Sequence, residues 1–105
     1  MENQEQNKRT QANKIAVIIP CYNVGNRLEK TVTPLTQFPV DIYIVDDGST
    51  DNCIDSIIHL PVSIISFPAN RGKGFAIIEG LRHVLNNSRY EAICFMDADG
   101  QHDPN

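Results

Sequence analysis

Residues 42–51 read Ile42-Tyr-Ile-Val-Asp-Asp-Gly-Ser-Thr-Asp51, a short apolar run that ends in two carboxylates and a glycine turn. An uninterrupted run of β-branched and aromatic residues is typical of a strand that is buried on both faces. Similar runs occur elsewhere in the chain, each followed by polar residues. The four strands predicted in this way are Ile15–Ile19, Ile42–Val45, Val62–Phe67 and Ala92–Met96.

Segments with helical spacing separate the predicted strands. The first helix is expected to begin after Asn26, as its N-cap, and to end or kink early at Pro34. The second is expected between Asp51 and Pro61, and the third from the Gly72-Lys73-Gly74 turn onward. The apolar positions expected on their buried faces are Leu28, Val32 and Leu35, then Ile54, Ile57 and Ile58, then Ile77, Leu81, Val84 and Leu85.

The alternation of strands and helices predicts an α/β fold, with a parallel sheet of about four strands flanked by helices. Residues 1–13 are almost entirely polar, and we expect them to form a flexible tail ahead of one small domain at residues 14–105. A domain of this size is smaller than an α/β enzyme that encloses two substrates. We therefore interpret residues 14–105 as a truncated part of a larger domain.

Charge, cysteine usage and hydropathy limit the partners and the location. The formal net charge of -4 at pH 7 and a pI near 5.2 argue against a nucleic-acid partner. The three cysteines have no Cys-x-x-Cys spacing and predict a reducing, cytoplasmic setting. The apolar runs are too short to span a bilayer, so no membrane segment is expected in this chain. A longer parent could still be membrane-associated.

Candidate ligand-binding residues directly follow each strand, because open parallel α/β sheets bind ligands beyond the carboxyl ends of their strands. Four polar clusters meet this criterion: Pro20–Asn23, Asp46–Asp51, Asn70–Gly74 and Asp97–Asp103. Parallel strands bring all four clusters to one edge of the sheet. The sequence therefore predicts a shared ligand site at that edge.

Asp97 and Asp99 form a candidate metal site. Residues two apart in an extended segment point the same way, so both carboxylates can bind one Mg²⁺ or Mn²⁺, and Gln101 can supply a further oxygen. Such a cation would also bind diphosphate oxygens and neutralise charge on a departing nucleotide. The alternative is a turn in which the two carboxylates accept hydrogen bonds from the local backbone.

The clusters after the first two strands are candidates for contact with a nucleoside. Asp46 and Asp47 can accept hydrogen bonds from a base or from ribose hydroxyls. Tyr22 can stack on a base, and Asn23 can bond to its edge. The alternatives are an Asp-Gly turn that caps a helix and ordinary half-buried loop residues.

Arg71 and Lys73 lie in a glycine-rich turn at a predicted helix start. Backbone amides and the helix dipole favour phosphate at such a position. The alternative is a solvated turn with no ligand. Phosphate contact by Lys73 is the interpretation we carry forward.

Two other nucleotide-binding classes lack their motifs here. A dinucleotide-dependent oxidoreductase needs G-x-G-x-x-G after its first strand, where this chain has Pro20-Cys21-Tyr22-Asn23-Val24-Gly25. A P-loop nucleotidase needs G-x-x-x-x-G-K-[ST], which does not occur in the sequence. The sequence thus argues against both classes.

The four clusters extend into the motifs Val17-Ile-Ile-Pro-Cys-Tyr-Asn23, Val45-Asp-Asp-Gly-Ser-Thr-Asp51, Asn70-Arg-Gly-Lys-Gly74 with Ala76 and Gly80, and Phe95-Met-Asp-Ala-Asp-Gly-Gln-His-Asp-Pro104. Taken together, these motifs resemble family 2 glycosyltransferases of the Rossmann-like GT-A fold. The run from Asp97 to Pro104 is most similar to polyprenyl-phosphate sugar transferases of the dolichyl-phosphate mannosyltransferase type. The resemblance covers the N-terminal, nucleotide-sugar-binding half of that fold.

The resemblance implies a function and a set of site residues. A full-length parent would bind a nucleotide-diphosphate sugar with a divalent metal and transfer the sugar, with inversion, to a polyprenyl phosphate or another acceptor. The catalytic acid/base group is expected beyond residue 105. The implied nucleotide-binding residues are Pro20, Tyr22, Asn23, Asp46, Asp47, Lys73 and Asp97, and the implied metal ligands are Asp97, Asp99 and Gln101.

Two alternatives concern the chain itself. It can be a non-catalytic nucleotide-binding module or an inactive remnant, because its length favours binding over turnover. An α/β domain that stops short also exposes a sheet face or edge, which allows self-association.

Overall fold

The computed structural model of the chain describes residues 13–87 and 89–98. The predicted tail up to residue 12, and the predicted metal ligands Asp99 and Gln101, lie outside the described residues. The elements in chain order are β1 (Ile15–Cys21), α1 (Arg27–Leu35), β2 (Asp41–Asp47), a 3₁₀ turn (Cys53–Ser56), β3 (Ser63–Phe67), α2 (Lys73–Asn87) and β4 (Ala92–Phe95).

The four strands form one parallel sheet in the order β3-β2-β1-β4, which confirms the predicted α/β fold. β1 lies inside the sheet, where Ile18 pairs with Tyr43 of β2 on one side and with Phe95 of β4 on the other. The chain moves outward from β1 to β3 and then returns to add β4 on the opposite side of β1. The order of the strands therefore reverses between β1 and β4, and the loops that follow them diverge there.

Helices cover both faces of the sheet. Along β1 the side chains alternate, so Val17 and Ile19 pack beneath α1 and the 3₁₀ turn, while Ala16 and Ile18 pack beneath α2. β1 and β2 are buried along almost their whole length, as predicted. β3 and β4 are more exposed than predicted, because they lie at the two edges of the sheet.

α1 ends at Leu35, one residue after Pro34, in agreement with the expected early end. Asn26 is the N-cap residue of α1, as predicted, but its side chain makes no capping hydrogen bond. Asn26 already has helical backbone angles, and its carbonyl accepts a hydrogen bond from the N–H of Lys30. Asn26 therefore begins the helical hydrogen bonding through its carbonyl, as an N-cap residue does.

The second predicted helix is only the four-residue 3₁₀ turn Cys53–Ser56. Ile57 is buried as expected, but Ile58 is exposed. The expected shared face requires continued α-helical rotation, and the chain leaves helical geometry at Ile57, where φ is -119°. The prediction of a buried face through Ile58 was therefore wrong.

α2 contacts the sheet through a stripe of three buried residues, of which the prediction included Val84 but not Ala76 and Gly80. Ala76, Gly80 and Val84, spaced four apart, are the buried positions of this helix, whereas Leu85 is 61% exposed. Ile77 and Leu81 are half-buried beside the stripe. A helix with small residues at its contact face can lie close to the strands beneath it.

Neither helix in the described part of the chain combines the length and the apolar character that crossing a membrane requires.

Gly80→Ala should destabilise the fold. A methyl group at this position would come within 2.8 Å of Val45 Cγ2 and 2.9 Å of Ile18 Cγ2, and both neighbours are stiff β-branched side chains. Overpacking should lower the free energy of unfolding by about 1–2 kcal/mol after the gain in helix propensity is subtracted. Urea denaturation monitored by circular dichroism measures the change.

Gly74→Ala is the matched control in the same helix. Its added methyl group meets nothing within 4 Å, so only the gain in helix propensity of roughly 0.5–1 kcal/mol should remain. Equal effects of the two substitutions would contradict the close approach of α2 to the sheet.

Candidate functional site

A cleft of about 280 Å³ opens at the carboxyl edge of the sheet, where the order of the strands reverses. The loops after β1 and β4 form two of its walls, and the start of α2 closes it below. Five of the predicted nucleotide-binding residues line it. The described residues around the cleft are Pro20, Cys21, Tyr22, Val24, Asp47, Asn70, Gly72, Lys73, Ala76, Asp97 and Ala98.

Asp47 holds the loop that precedes α2. The residue is 3% exposed, and its carboxylate accepts hydrogen bonds from the backbone N–H groups of Arg71 (2.9 Å) and Gly72 (2.8 Å) and from the side-chain amide of Asn70 (3.0 Å). A carboxylate offers about four lone-pair sites, so most of its acceptor capacity is used inside the protein. This geometry leaves little of Asp47 for the predicted contact with a base or ribose.

Asp46 and Asn23 do not line the cleft. Asp46 precedes Asp47 within β2, so the alternation of the strand turns it to the opposite face. There its carboxylate accepts hydrogen bonds from the N–H of Ser49 (3.0 Å) and the hydroxyl of Ser66 (3.5 Å). Asp46 therefore makes the turn contact that the alternative interpretation expected.

Asn23 joins the loop after β1 to the loop after β2. It has a left-handed backbone conformation, with φ of 51°. Its side-chain oxygen accepts a hydrogen bond from the N–H of Thr50 (2.7 Å), and its own N–H donates to the Ser49 hydroxyl (3.0 Å). Contacts of Asn23 and Asp46 with a nucleotide remain predictions.

Asp51 adds a second connection between the same two loops, which sequence reasoning missed. Its carboxylate accepts hydrogen bonds from the N–H of Gly25 (2.9 Å) and the N–H of Cys53 (3.0 Å). Desolvation by itself would raise the pKa of the Asp51 carboxyl. The hydrogen bonds from Cys53 and Gly25 outweigh it and hold this pKa below its usual value. Asp51 thus helps to hold the loop after β1, which lines the cleft, against the loop after β2.

Lys73 and Asp97 meet across the cleft. Lys73 Nζ lies 2.6 Å from Asp97 Oδ1, and both side chains are partly exposed. Lys73 is the first residue of α2, and Asp97 lies two residues after β4. An ammonium group and a carboxylate therefore face the same space at the point where phosphate and metal were predicted.

The described residues supply only part of the predicted metal site. Asp97 offers a hard oxygen ligand at the open cleft, which suits Mg²⁺ or Mn²⁺. No group of three or more His, Cys, Asp or Glu residues in residues 13–87 and 89–98 is arranged to hold a metal ion. Asp99 and Gln101 fall outside that part of the chain. The donor chemistry of Asp97 fits the predicted cation.

The buried thiols of Cys21 and Cys53 lie close to each other at the site. Cys21 lines the cleft, and burial raises the pKa of its thiol far above the usual range, with the Cys53 thiol and the Asp46 carboxylate acting in the same direction. Burial also raises the pKa of Cys53. Both thiols stay protonated at neutral pH and pack as small apolar groups.

Comparison with known proteins identifies the family. Residues 16–105 match the model of glycosyl transferase family 2. The chain belongs to this family. Its sheet, with the Rossmann-like parallel arrangement, agrees with the fold that the resemblance implied.

Several known proteins are similar to most of this chain. An uncharacterized protein of Methanocaldococcus jannaschii is 33% identical over 93 residues, which cover 83% of this chain and 41% of that protein. A dolichyl-phosphate beta-glucosyltransferase of Saccharomyces cerevisiae is 34% identical, over 82% of this chain and 30% of its own length. A UDP-N-acetylglucosamine–dolichyl-phosphate N-acetylglucosaminyltransferase of Methanococcus voltae is 34% identical, over 86% and 43%. The chain thus spans less than half the length of these relatives.

Asp47→Asn should loosen the loop that forms the floor of the cleft. An amide has one oxygen in place of two, so the N–H of Arg71 or Gly72 would face an NH₂ group and lose its acceptor. The free energy of unfolding should fall by about 2–3 kcal/mol. Urea denaturation checks this value.

Asp55→Asn, on the exposed side of the 3₁₀ turn, is the control for loss of one carboxylate charge. It should change the stability by no more than about 0.5 kcal/mol. Asp47 would not have the structural role described if both variants unfolded at the same urea concentration.

Proposed function

We propose that the cleft binds the diphosphate part of a nucleotide-sugar donor together with Mg²⁺ or Mn²⁺. The observation that carries the proposal is the meeting of Lys73 and Asp97 at 2.6 Å in a cleft at the strand reversal, the position where open α/β sheets bind ligands. Lys73 supplies a positive charge for phosphate, and Asp97 supplies an oxygen ligand for the cation. The bound cation would neutralise charge that develops on the departing nucleoside diphosphate.

The backbone at the start of α2 supports the same assignment. Gly72 has φ of 104°, which favours glycine, and the amide groups of Arg71 and Gly72 are turned toward Asp47. Gly72 and Lys73 line the cleft, so the N-terminus of α2 borders it, and a helix N-terminus favours anions. Tyr22 is 47% exposed at the rim, where its ring is accessible to a base.

Transfer of the sugar with inversion to a lipid phosphate is the reaction that we propose for a full-length parent. The names of the relatives from S. cerevisiae and M. voltae specify dolichyl phosphate. A phosphate oxygen is already anionic at neutral pH, so such an acceptor needs less help from a general base than a sugar hydroxyl does. The cleft carboxylates among the described residues suit an acceptor that needs little help from a general base. Asp47 already accepts hydrogen bonds from backbone amides, and Asp97 is paired with Lys73.

A cytoplasmic location is part of the proposal. All three cysteines are free, and Cys94 is exposed, which fits a reducing compartment.

Metal-dependent binding of nucleoside diphosphates tests the proposal. Isothermal titration calorimetry with UDP and GDP, with and without Mn²⁺, should show binding to the wild-type chain that Mn²⁺ strengthens. Asp97→Ala should remove the strengthening by Mn²⁺, because the cation loses a ligand. Heat signals that are the same with and without the metal would contradict the metal-bridged site and favour the non-catalytic alternative.

Glu91→Ala is the matched control. Glu91 is an exposed carboxylate just before β4, at the opposite end of the strand from Asp97, where it pairs with Lys14 at 3.5 Å. It should leave the effect of Mn²⁺ unchanged.

For a full-length parent, an assay with Mg²⁺ and a panel of acceptors should show consumption of the donor, and the absence of both transfer and donor hydrolysis would contradict the proposed reaction.

A further inference from the structure

The ion pair between Lys73 and Asp97 joins the two groups that the proposed function assigns to opposite partners. Lys73 is assigned to phosphate and Asp97 to the cation, yet in this structure they bind each other at 2.6 Å. Both line the cleft, so the contact lies inside the site and not beside it. Their side chains are 62% and 47% exposed, so both remain accessible to an incoming ligand.

This contact affects the binding of a cation. A divalent ion on the Asp97 carboxylate would have the Lys73 ammonium as a near neighbour of the same sign. Like charges a few ångströms apart repel, and the repulsion is weakened but not removed at a partly exposed site. A cation that arrives alone must therefore displace Lys73 or accept this repulsion.

A diphosphate changes the balance. Its oxygens can accept hydrogen bonds from the Lys73 ammonium and bind the cation at the same time. Lys73 then exchanges a carboxylate for a phosphate, and Asp97 is released to the metal. The Lys73 ammonium then pairs with a phosphate oxygen, and the cation pairs with Asp97 and the diphosphate, so each positive charge has a negative partner.

The exchange requires only a side-chain movement. Asp47 fixes the N–H groups of Arg71 and Gly72, so the backbone just before Lys73 is held. Lysine has a flexible four-carbon stem, and its ammonium can rotate between two acceptors in one cleft. The loop can therefore stay in place while the partner of Lys73 changes.

We propose that Lys73 competes with the divalent cation for Asp97 and thereby couples metal binding to diphosphate binding. The ligand-free site holds the cation weakly, because Lys73 occupies the carboxylate. Arrival of the diphosphate moves Lys73 and strengthens metal binding. This inference rests on the proposed function, since it assumes that Asp97 is a ligand of the cation.

Mn²⁺ binding without any nucleotide gives the first test. The free Mn²⁺ signal in electron paramagnetic resonance reports the bound fraction for the whole chain. Lys73→Gln should tighten Mn²⁺ binding about tenfold relative to wild type, because the competing charge is gone. Lys73→Arg keeps the charge and should bind Mn²⁺ as weakly as wild type.

Arg71→Gln is the matched control for loss of one positive charge near the cleft. The Arg71 guanidinium lies over the Phe75 ring, 4.9 Å from its centroid, and does not line the cleft. This variant should change Mn²⁺ affinity much less than Lys73→Gln does. If both variants changed the Mn²⁺ affinity equally, the cause would be the general loss of positive charge and not competition by Lys73, and the proposal would be overturned.

The second test is the coupling itself. Adding UDP or GDP should strengthen Mn²⁺ binding in wild type more than in Lys73→Gln. Circular dichroism confirms folding of each variant, and Lys73 is exposed enough for its replacement to be tolerated. The proposal is overturned if folded Lys73→Gln binds Mn²⁺ no more tightly than wild type, or shows no binding.

Failure of the proposed function has a different signature. In that case wild type shows no binding of UDP or GDP with Mn²⁺, whereas the nucleotide-free comparison of Lys73→Gln, Lys73→Arg and Arg71→Gln still decides whether Lys73 competes for the cation.

Discussion

The buried carboxylate of Asp47 is the interaction on which the site depends. It lies at the end of β2, yet its three donors belong to Asn70, Arg71 and Gly72, the loop between β3 and α2. A buried charge is costly unless it is hydrogen-bonded, and these donors provide that compensation. The start of α2, and with it Lys73, is therefore located by a residue from a different strand.

The close approach of these two segments also requires a glycine. Gly48 has φ of 79°, and a methyl group there would come within 2.5 Å of the backbone of Ala69 and Asn70. The loop after β3 thus packs directly on the turn after β2. Asp47 and Gly48 act as a unit, in which one residue attracts the loop and the other leaves room for it.

Much of the fold could be predicted from the sequence because it depends on local patterns. Apolar runs gave the four strands, and their alternation with helical segments gave the parallel sheet. Val84 was predicted on the buried face of α2, but Ala76 and Gly80 were missed, because small residues carry little hydrophobic signal. What selects them is the distance to the sheet, which only the packed structure reveals.

The candidate site was predictable to the level of clusters but not of individual side chains. Proximity to strand ends identified Tyr22, Lys73 and Asp97 at the cleft. It could not separate Asp46 from Asp47, because that distinction depends on where β2 ends. The strand continues through both residues, so its alternation sends them to opposite faces.

The charges of the described cleft residues explain why phosphate and cation would enter together. Asp47 is compensated by amide donors, and Asp97 by Lys73, so neither carboxylate has an unmatched charge before a ligand arrives. A diphosphate alone would meet the negative charge of Asp97, and a cation alone would meet the positive charge of Lys73. Each ligand removes the obstacle to the other, because the cation neutralises Asp97 while the phosphate accepts Lys73. Under the proposed function, a site that holds its charges in internal pairs would thereby favour the metal–diphosphate complex over either component.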